Sequence, residues 1–388
     1  MEARNITKLI KKYGDKLLFA LALTVLAAAL LRYGINKAGA PSITPPIVFT
    51  QWLEEYLEKD TLQGLIREFE DAHEGLKIVL NYKSYEDLHN DESPQGDLIA
   101  LDPLWVPGLA NRRIIEEQQI PVLTFANILY YNVEILRDAG FSKPPKTRAE
   151  FLSCAKALAI KDKNRWALGL GGYSSRGLYD DILPWIWAAG VQLIGEGKPS
   201  LSSRPIIDSF SFLAGLKAEG LIDPDAFFKN NKEKLDDFVS GKAAFIVAPA
   251  CEIEFIRERM GDEAFSVTSI PTPDNFTGKT YFGFAGWNLG INSSSGHKEK
   301  ARLFAEFLAS RLPEKTRAAQ ENSAGDPFYS KVWDIAIAGE AAQDFTGLSW
   351  EDLEAVFSEE LSALFTGQPP AETAAAIQKR WDAAIGIH

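Results

Sequence analysis

Residues 128–158 read ILYYNVEILRDAGFSKPPKTRAEFLSCAKAL. The aliphatic and aromatic run over 123–131 predicts a strand. A short helix over 133–139 follows and is stopped by Gly140, the residue type that most easily takes the left-handed turn after a helix. Thr147 and Glu150 stand at the spacing of a capping box and open a second helix. On that helix Phe151, Leu152, Ala155, Leu158 and Ala159 share one face, as a 3.6-residue period requires.

The same alternation extends in both directions. Upstream, 47–50 (IVFT) is a short buried strand running into Gln51-Trp52. Asp60 and Gln63 then stand at the cap positions of a helix whose apolar face is Leu62, Leu65, Ile66, Phe69 and Ala72. Leu76, Ile78, Leu80 and Tyr82 alternate as in a half-buried strand, and 97–101 (DLIAL) is another strand, ending at Asp102-Pro103. This order predicts the start of a parallel α/β sheet. Downstream, strands are expected at 166–170, 243–248 and 265–270, and a helix from Pro205 through residue 217. Beyond Gly290 helices dominate, at 297–311, 329–338, 349–365 and 372–384.

Composition narrows the classes. Hydrophobic residues make up 46% of the 388 and nine are tryptophans, which supports packed cores. A net charge of −12 without a basic stripe excludes nucleic acid as a partner. Two cysteines make no disulfide framework, and four scattered histidines show no metal-ligand spacing, so neither metal nor cofactor is expected. There is no nucleophile elbow, phosphate-cradling loop or metal motif, so an enzyme is not expected. The pair Glu359-Glu360 is read as part of an exposed helix face, and adjacency alone makes no glycosidase dyad.

Residues 17–31 (LLFALALTVLAAALL) carry no charge and follow a lysine-rich start. The positive flank stays cytoplasmic, which puts the remainder across the membrane. The run is shorter than the roughly 20 residues of a comfortable span. Tyr13 and Tyr33 bracket it, however, and Lys16 and Arg32 can snorkel from its ends. We read residues 1–36 as an uncleaved signal anchor and 37–46 as a linker. A cleaved signal peptide ending at Ala38-Gly39-Ala40 is the competing reading.

Several stretches together resemble the extracellular solute-binding proteins of bacterial ABC importers, in the branch that binds sugars and oligosaccharides. They are VFTQW (48–52) with EFEDAHEGLKIVL (68–80), GDLIALDP (96–103), the 128–158 segment, and SGKAAFIVAPACEI (240–253). SIPTPDNFTGK (269–279), GFAGWNLGI (283–291) and the terminal 360–385 complete the likeness. The resemblance implies a two-lobed, periplasmic-binding-protein-like α/β fold with discontinuous lobes and a hinge, preceded by the membrane helix. One lobe would be 45–122 plus 274–311, the other 123–273 plus 312–388. It further implies a monomer on the outer face of the cytoplasmic membrane that closes on a small solute and hands it to permease subunits.

Sugar recognition combines aromatic faces with carboxylates and amides. Such residues follow strand ends here, where α/β sheets place ligands. They are Trp52; Asp102 and Trp105; Asn127 near the crossing, with Phe125; Tyr179, Asp180 and Trp185, in a loop and the helix after it; Glu252; and Trp287. For each tryptophan the plain alternative is core packing, and for Asp180 and Asp181 a helix cap or solvated loop charge. Two features depart from the family pattern. Ala250-Cys251 stands where relatives carry a pocket tryptophan, and 114–127 lacks the hairpin that roofs part of the cleft. Cys251 is expected as a small buried hydrophobe rather than a reactive thiol, and Cys154 as core. These departures motivate the rival reading, an envelope interaction protein that keeps the fold but not the pocket.

Overall fold

A computed structural model describes residues 45–386 except 56, 58–59, 160–164, 174, 196–197, 322–324 and 343–349. The expected anchor and linker lie almost wholly outside the described residues. Among the described residues no helix is long and apolar enough to cross a membrane. Chain contacts divide the described residues into two units, one that includes Glu70–Ile78, the other of Ile47–Phe69 with the residues from Val79 onward. In the first, the Glu70 carboxylate accepts from the Lys77 ammonium (2.6 Å) and the Ile78 N–H (2.9 Å). These bonds hold its charged form and keep its pKa below the ordinary value against the opposing effect of burial.

Among the described residues twelve strands occur: β1 (Ile47–Gln51), β2 (Ile78–Tyr82), β3 (Leu98–Leu101), β4 (Ile120–Asn132), β5 (Trp166–Gly169), β6 (Ile194–Gly195), β7 (Lys198–Pro199), β8 (Ala243–Pro249), β9 (Phe265–Thr268), β10 (Tyr281–Phe282), β11 (Phe284–Ile291) and β12 (Glu340–Ala341). Eight form one sheet in the order β2-β1-β3-β11-β4-β8-β5, with β9 also on β4. The β1–β3 and β5–β8 pairs are parallel, as the strand-helix alternation requires. The joins made by β11, β4 and β9 are antiparallel, so the sheet is mixed rather than parallel throughout. The reason is connectivity: β4 and β11 traverse the sheet instead of returning through a crossover helix.

β4 is the long member, 13 residues, extending the expected 123–131 strand at both ends. Its first part, Ile120 to Ala126, pairs with β11; its second, Asn127 to Tyr131, pairs with β8. The partner therefore changes between Ala126 and Asn127. Trp187 packs against Gly283, the residue just before β11, where an added Cβ would lie 2.1 Å from the indole.

The helices follow the expected faces closely. Helix Thr61–Ala72 buries Leu62, Leu65, Ile66 and Phe69, while Ala72 at its end is exposed. Asp60 precedes it with φ 68°. Both halves of the Thr147–Glu150 capping box are made on helix Arg148–Leu158. Helix Ser175–Trp187 begins early enough to carry Tyr179 through Trp185 entirely on helix. Helix Lys298–Glu321 runs unbroken through 311 and 312, the expected lobe boundary. The 349–365 face is less exposed than expected: Arg380 bonds both Glu359 (2.8 Å) and Glu360 (2.9 Å), and Glu360 is half-buried. Around the second part of β4, Ile128, Tyr130, Phe238, Ile246, Ile253 and Phe265 form one core. Each such side chain contributes roughly 1.5–3 kcal/mol of burial, an upper figure because the unfolded chain is partly compact.

Candidate functional site

The exchange of partners along β4 leaves backbone and side-chain polar groups together. The Asn127 N–H donates to the Gly283 carbonyl (3.2 Å), and the Ala250 N–H to that of Ala126 (2.9 Å). The Asn127 side chain, 2% exposed, donates through Nδ2 to Asp180 Oδ1 (2.7 Å). β8 ends at Pro249, and helix Glu252–Met260 starts after two intervening residues, so Glu252 is buried in its first turn. Helix Asn231–Val239, opened by an Asn230–Glu233 capping box, brings Asn231 Nδ2 to Glu252 Oε1 (3.4 Å). Among the described residues, the side-chain oxygens of Asn127 and Asn231 accept no hydrogen bond.

Beside this lies a buried ion pair. The Lys234 ammonium donates to Asp181 Oδ1 (2.5 Å) and to the Val247 carbonyl (2.8 Å). The other Asp181 oxygen accepts the Gly171 N–H (2.6 Å). Three carboxylates thus share an interior with a single lysine. Burial pushes Asp181 up to about 6, even with Lys234 and the Gly171 N–H opposing it. Burial pushes Glu252 up to about 7; Lys234 opposes this and Asp180 adds to it. At neutral pH the group therefore offers unfilled acceptors and a carboxyl close to its own titration point, the complement of a ligand rich in hydroxyls.

The predicted residues fall into four places. Asn127, Asp180 and Glu252 are brought together at the node just described. Asp180 and Asp181 are not caps or solvated charges: at 2% and 1% exposure they are buried on helix Ser175–Trp187. Trp52, Asp102, Trp105 and Trp287 gather elsewhere, in an aromatic cluster with Tyr85, His89 and Phe125. Trp52 lies edge-on to Tyr85 (5.1 Å) and Trp287 (6.3 Å), and Trp287 edge-on to Phe125 (5.8 Å). Trp105 packs on Tyr85 (4.7 Å) and His89 (5.2 Å). The three tryptophans are 3–4% exposed, so much of each ring is occupied by other rings. Asp102 accepts from the Tyr85 hydroxyl (3.1 Å) and the Leu104 N–H (2.9 Å). Burial lowers the His89 pKa, and Asp102 partly opposes that.

Trp185 is in a third place, fully buried against Phe151 (5.0 Å) and Phe212 (5.5 Å), with its carbonyl bonded by buried Arg148 (2.5 Å). Tyr179, in a fourth, packs edge-on to Trp187 (5.2 Å) and Trp350 (5.9 Å). Cys154 is buried core, its thiol pushed up to about 11 by desolvation. Cys251 departs from expectation: it is only half-buried, because it precedes helix Glu252–Met260 at the end of β8 instead of lying within either.

Asn231, Lys234 and Gly171 were not among the expected site residues. A signal for Lys234 existed, since it stands four residues before Phe238 on the buried face of its helix. Among the described residues, no group of His, Cys, Asp and Glu could hold a metal ion.

Comparison with known proteins agrees with this architecture. Residues 55–311 match the family model "Bacterial extracellular solute-binding protein". A probable ABC transporter-binding protein of Deinococcus radiodurans is 22% identical over 271 residues; the match spans 64% of this chain and 64% of that relative's length. An ABC transporter solute-binding protein from Thermotoga lettingae, solved with alpha-D-tagatose, superposes with a TM-score of 0.74 at 17% identity, over 88% of this chain and 100% of that one. A Listeria monocytogenes ABC substrate-binding protein in complex with cycloalternan gives 0.73 at 12%, over 88% and 99%. At these identities the two solved structures are alike in fold: the two-lobed, periplasmic-binding-protein-like α/β fold. With the family model matched over most of the chain, the protein belongs to the bacterial extracellular solute-binding proteins.

Proposed function

We propose that this chain is a membrane-tethered receptor that captures a carbohydrate between two lobes and delivers it to an ABC importer. The lobes would be 45–122 with 274–311 and 123–273 with 312–388, and residues 17–31 would remain as the anchor. The observation that carries the reading is the node at the partner change of β4. Asn127, Asp180, Asn231 and Glu252 come from four elements, and the buried Asn127 oxygen has no partner among the described residues. Sugars in solved relatives, tagatose and cycloalternan among them, support the ligand class.

A panel of mono- and oligosaccharides tested by thermal shift and calorimetry checks this. A binding sugar raises the melting temperature of the unaltered chain. It also reduces the radius of gyration in small-angle scattering if the lobes close. Asn127→Ala is expected to weaken the same sugar by about 10–100-fold, the loss of a hydrogen bond next to a charged group. A second reading, a non-transporting envelope protein with a filled pocket, is favoured by the mutual packing of Trp52, Trp105 and Trp287. A panel in which no sugar shifts the melting temperature would select it.

A further inference from the structure

At the β4 node the side-chain groups left unfilled are all acceptors. Among the described residues, the buried side-chain oxygens of Asn127 and Asn231 receive no hydrogen bond. Neither amide can be turned round to donate instead. The nitrogen of each is already on a carboxylate, Asp180 Oδ1 (2.7 Å) and Glu252 Oε1 (3.4 Å), and an ionised carboxylate only accepts. The long Asn231 contact is also the one hydrogen bond that the Glu252 side chain receives among the described residues. Asn127 stands opposite Pro249 in the β4–β8 ladder, and Glu252 opens its helix three residues further on, so the two enter the node side by side.

The charge is as one-sided as the hydrogen bonding. The Lys234 ammonium is committed to Asp181 and to the Val247 carbonyl (2.8 Å). Glu252, 5% exposed, is left without an ion pair among the described residues. Burial pushes it up to about 7, with Lys234 opposing and Asp180 adding. A buried carboxylate is stable as an ion only when a countercharge and hydrogen-bond donors meet it. Among the described residues no group of His, Cys, Asp and Glu could hold a metal ion, so these acids are not a metal cluster.

We propose that the node receives a protonated primary amine, so that the solute is an amino sugar rather than a neutral one. This rests on the solute-binding reading above. An ammonium brings three hydrogens, no lone pair and one positive charge. The hydrogens suit Asn127 Oδ1, Asn231 Oδ1 and the Glu252 carboxylate, and the charge is the one that Glu252 lacks. A hydroxyl brings a single hydrogen, and its lone pairs would face oxygens. Hydrogen bonds in which both partners are charged are also the stronger kind.

Calorimetry on the full chain at neutral pH tests this with matched solutes. Glucosamine is compared with glucose and N-acetylglucosamine, and the glucosamine trimer with the N-acetylglucosamine trimer. In the set that binds, the amine is held about ten-fold or more tighter than its neutral counterparts, the scale of a hydrogen bond to a charged group. Glu252→Gln keeps the shape and removes the charge, and brings the ratio of amine to neutral affinity close to one. Its melting temperature is read beside it, and if it does not fold, the ratio on the unaltered chain decides. A neutral sugar that binds as tightly as its amine overturns the ammonium site while the solute reading stands. So does a preference for the amine that survives in folded Glu252→Gln. Failure of amines and neutral sugars alike on the unaltered chain sinks both.

Discussion

Trp287 sits in β11 where its pairing with β4 slips between Trp287 and Asn288, and its ring is 4% exposed between Trp52 and Phe125. A large side chain so enclosed acts first through packing. Trp287→Ala is expected to cost about 3–5 kcal/mol of stability, read as a lowered urea midpoint. A variant with an unchanged midpoint and weakened sugar binding would instead return Trp287 to the pocket. Asn127 is the opposite kind of residue. It is small and buried, with one side-chain donor used and its acceptor unfilled among the described residues, so on the proposed reading its replacement is expected to act first on binding.

At the scale of elements, β4 joins the two portions of the sheet, and Gly283 is the point where β11 meets it. The Gly283 carbonyl accepts the Asn127 N–H, and its Cα faces the fully buried Trp187 ring. Any side chain there must displace that indole or the strand. Gly283→Ala is therefore expected to destabilise by about 1–3 kcal/mol, the usual cost of overpacking. Thermal unfolding measures it, and an alanine variant as stable as the parent would show that the indole yields freely.

For the whole molecule, the buried carboxyls set a pH dependence opposite to that of ordinary paired acids. Asp181 and Glu252 are raised from 3.8 to about 6 and from 4.5 to about 7. Between the unfolded and folded values the native state holds protons that the unfolded chain has released, so stability falls as pH rises from about 4 to 7. Glu70 and Asp91 are lowered, chiefly by their lysine partners against burial in the one case and by the Lys83 hydrogen bond in the other, and their contribution is lost only under more acid conditions. Maximum stability is thus expected near pH 4. Replacing Glu252 by Gln is expected to flatten the upper part of the profile, by on the order of 2 kcal/mol between pH 5 and 8. Urea titrations across that range check it, and a parent profile that rises toward pH 8 would contradict it.

Local signals were legible without tertiary information. The capping box at Thr147–Glu150, the buried face of helix Thr61–Ala72 and the strands β1, β3, β5 and β8 all depend on neighbours within a few residues. Family motifs spread along the chain carried the fold for the same reason, since each is a short strand-helix unit. What the chain alone left open was which side chains share an interior. Trp52 and Trp105 after strand ends, and Trp287 within β11, carry the same local pattern whether they line a cleft or pack on one another, and their mutual packing is visible only in the tertiary structure. Asp180 and Asp181 likewise resembled loop charges until helix Ser175–Trp187 turned them toward Asn127 and Lys234, partners 53 residues away in each case. Long-range partners leave no periodicity in the sequence, so the node became visible only where β4 changes its neighbour.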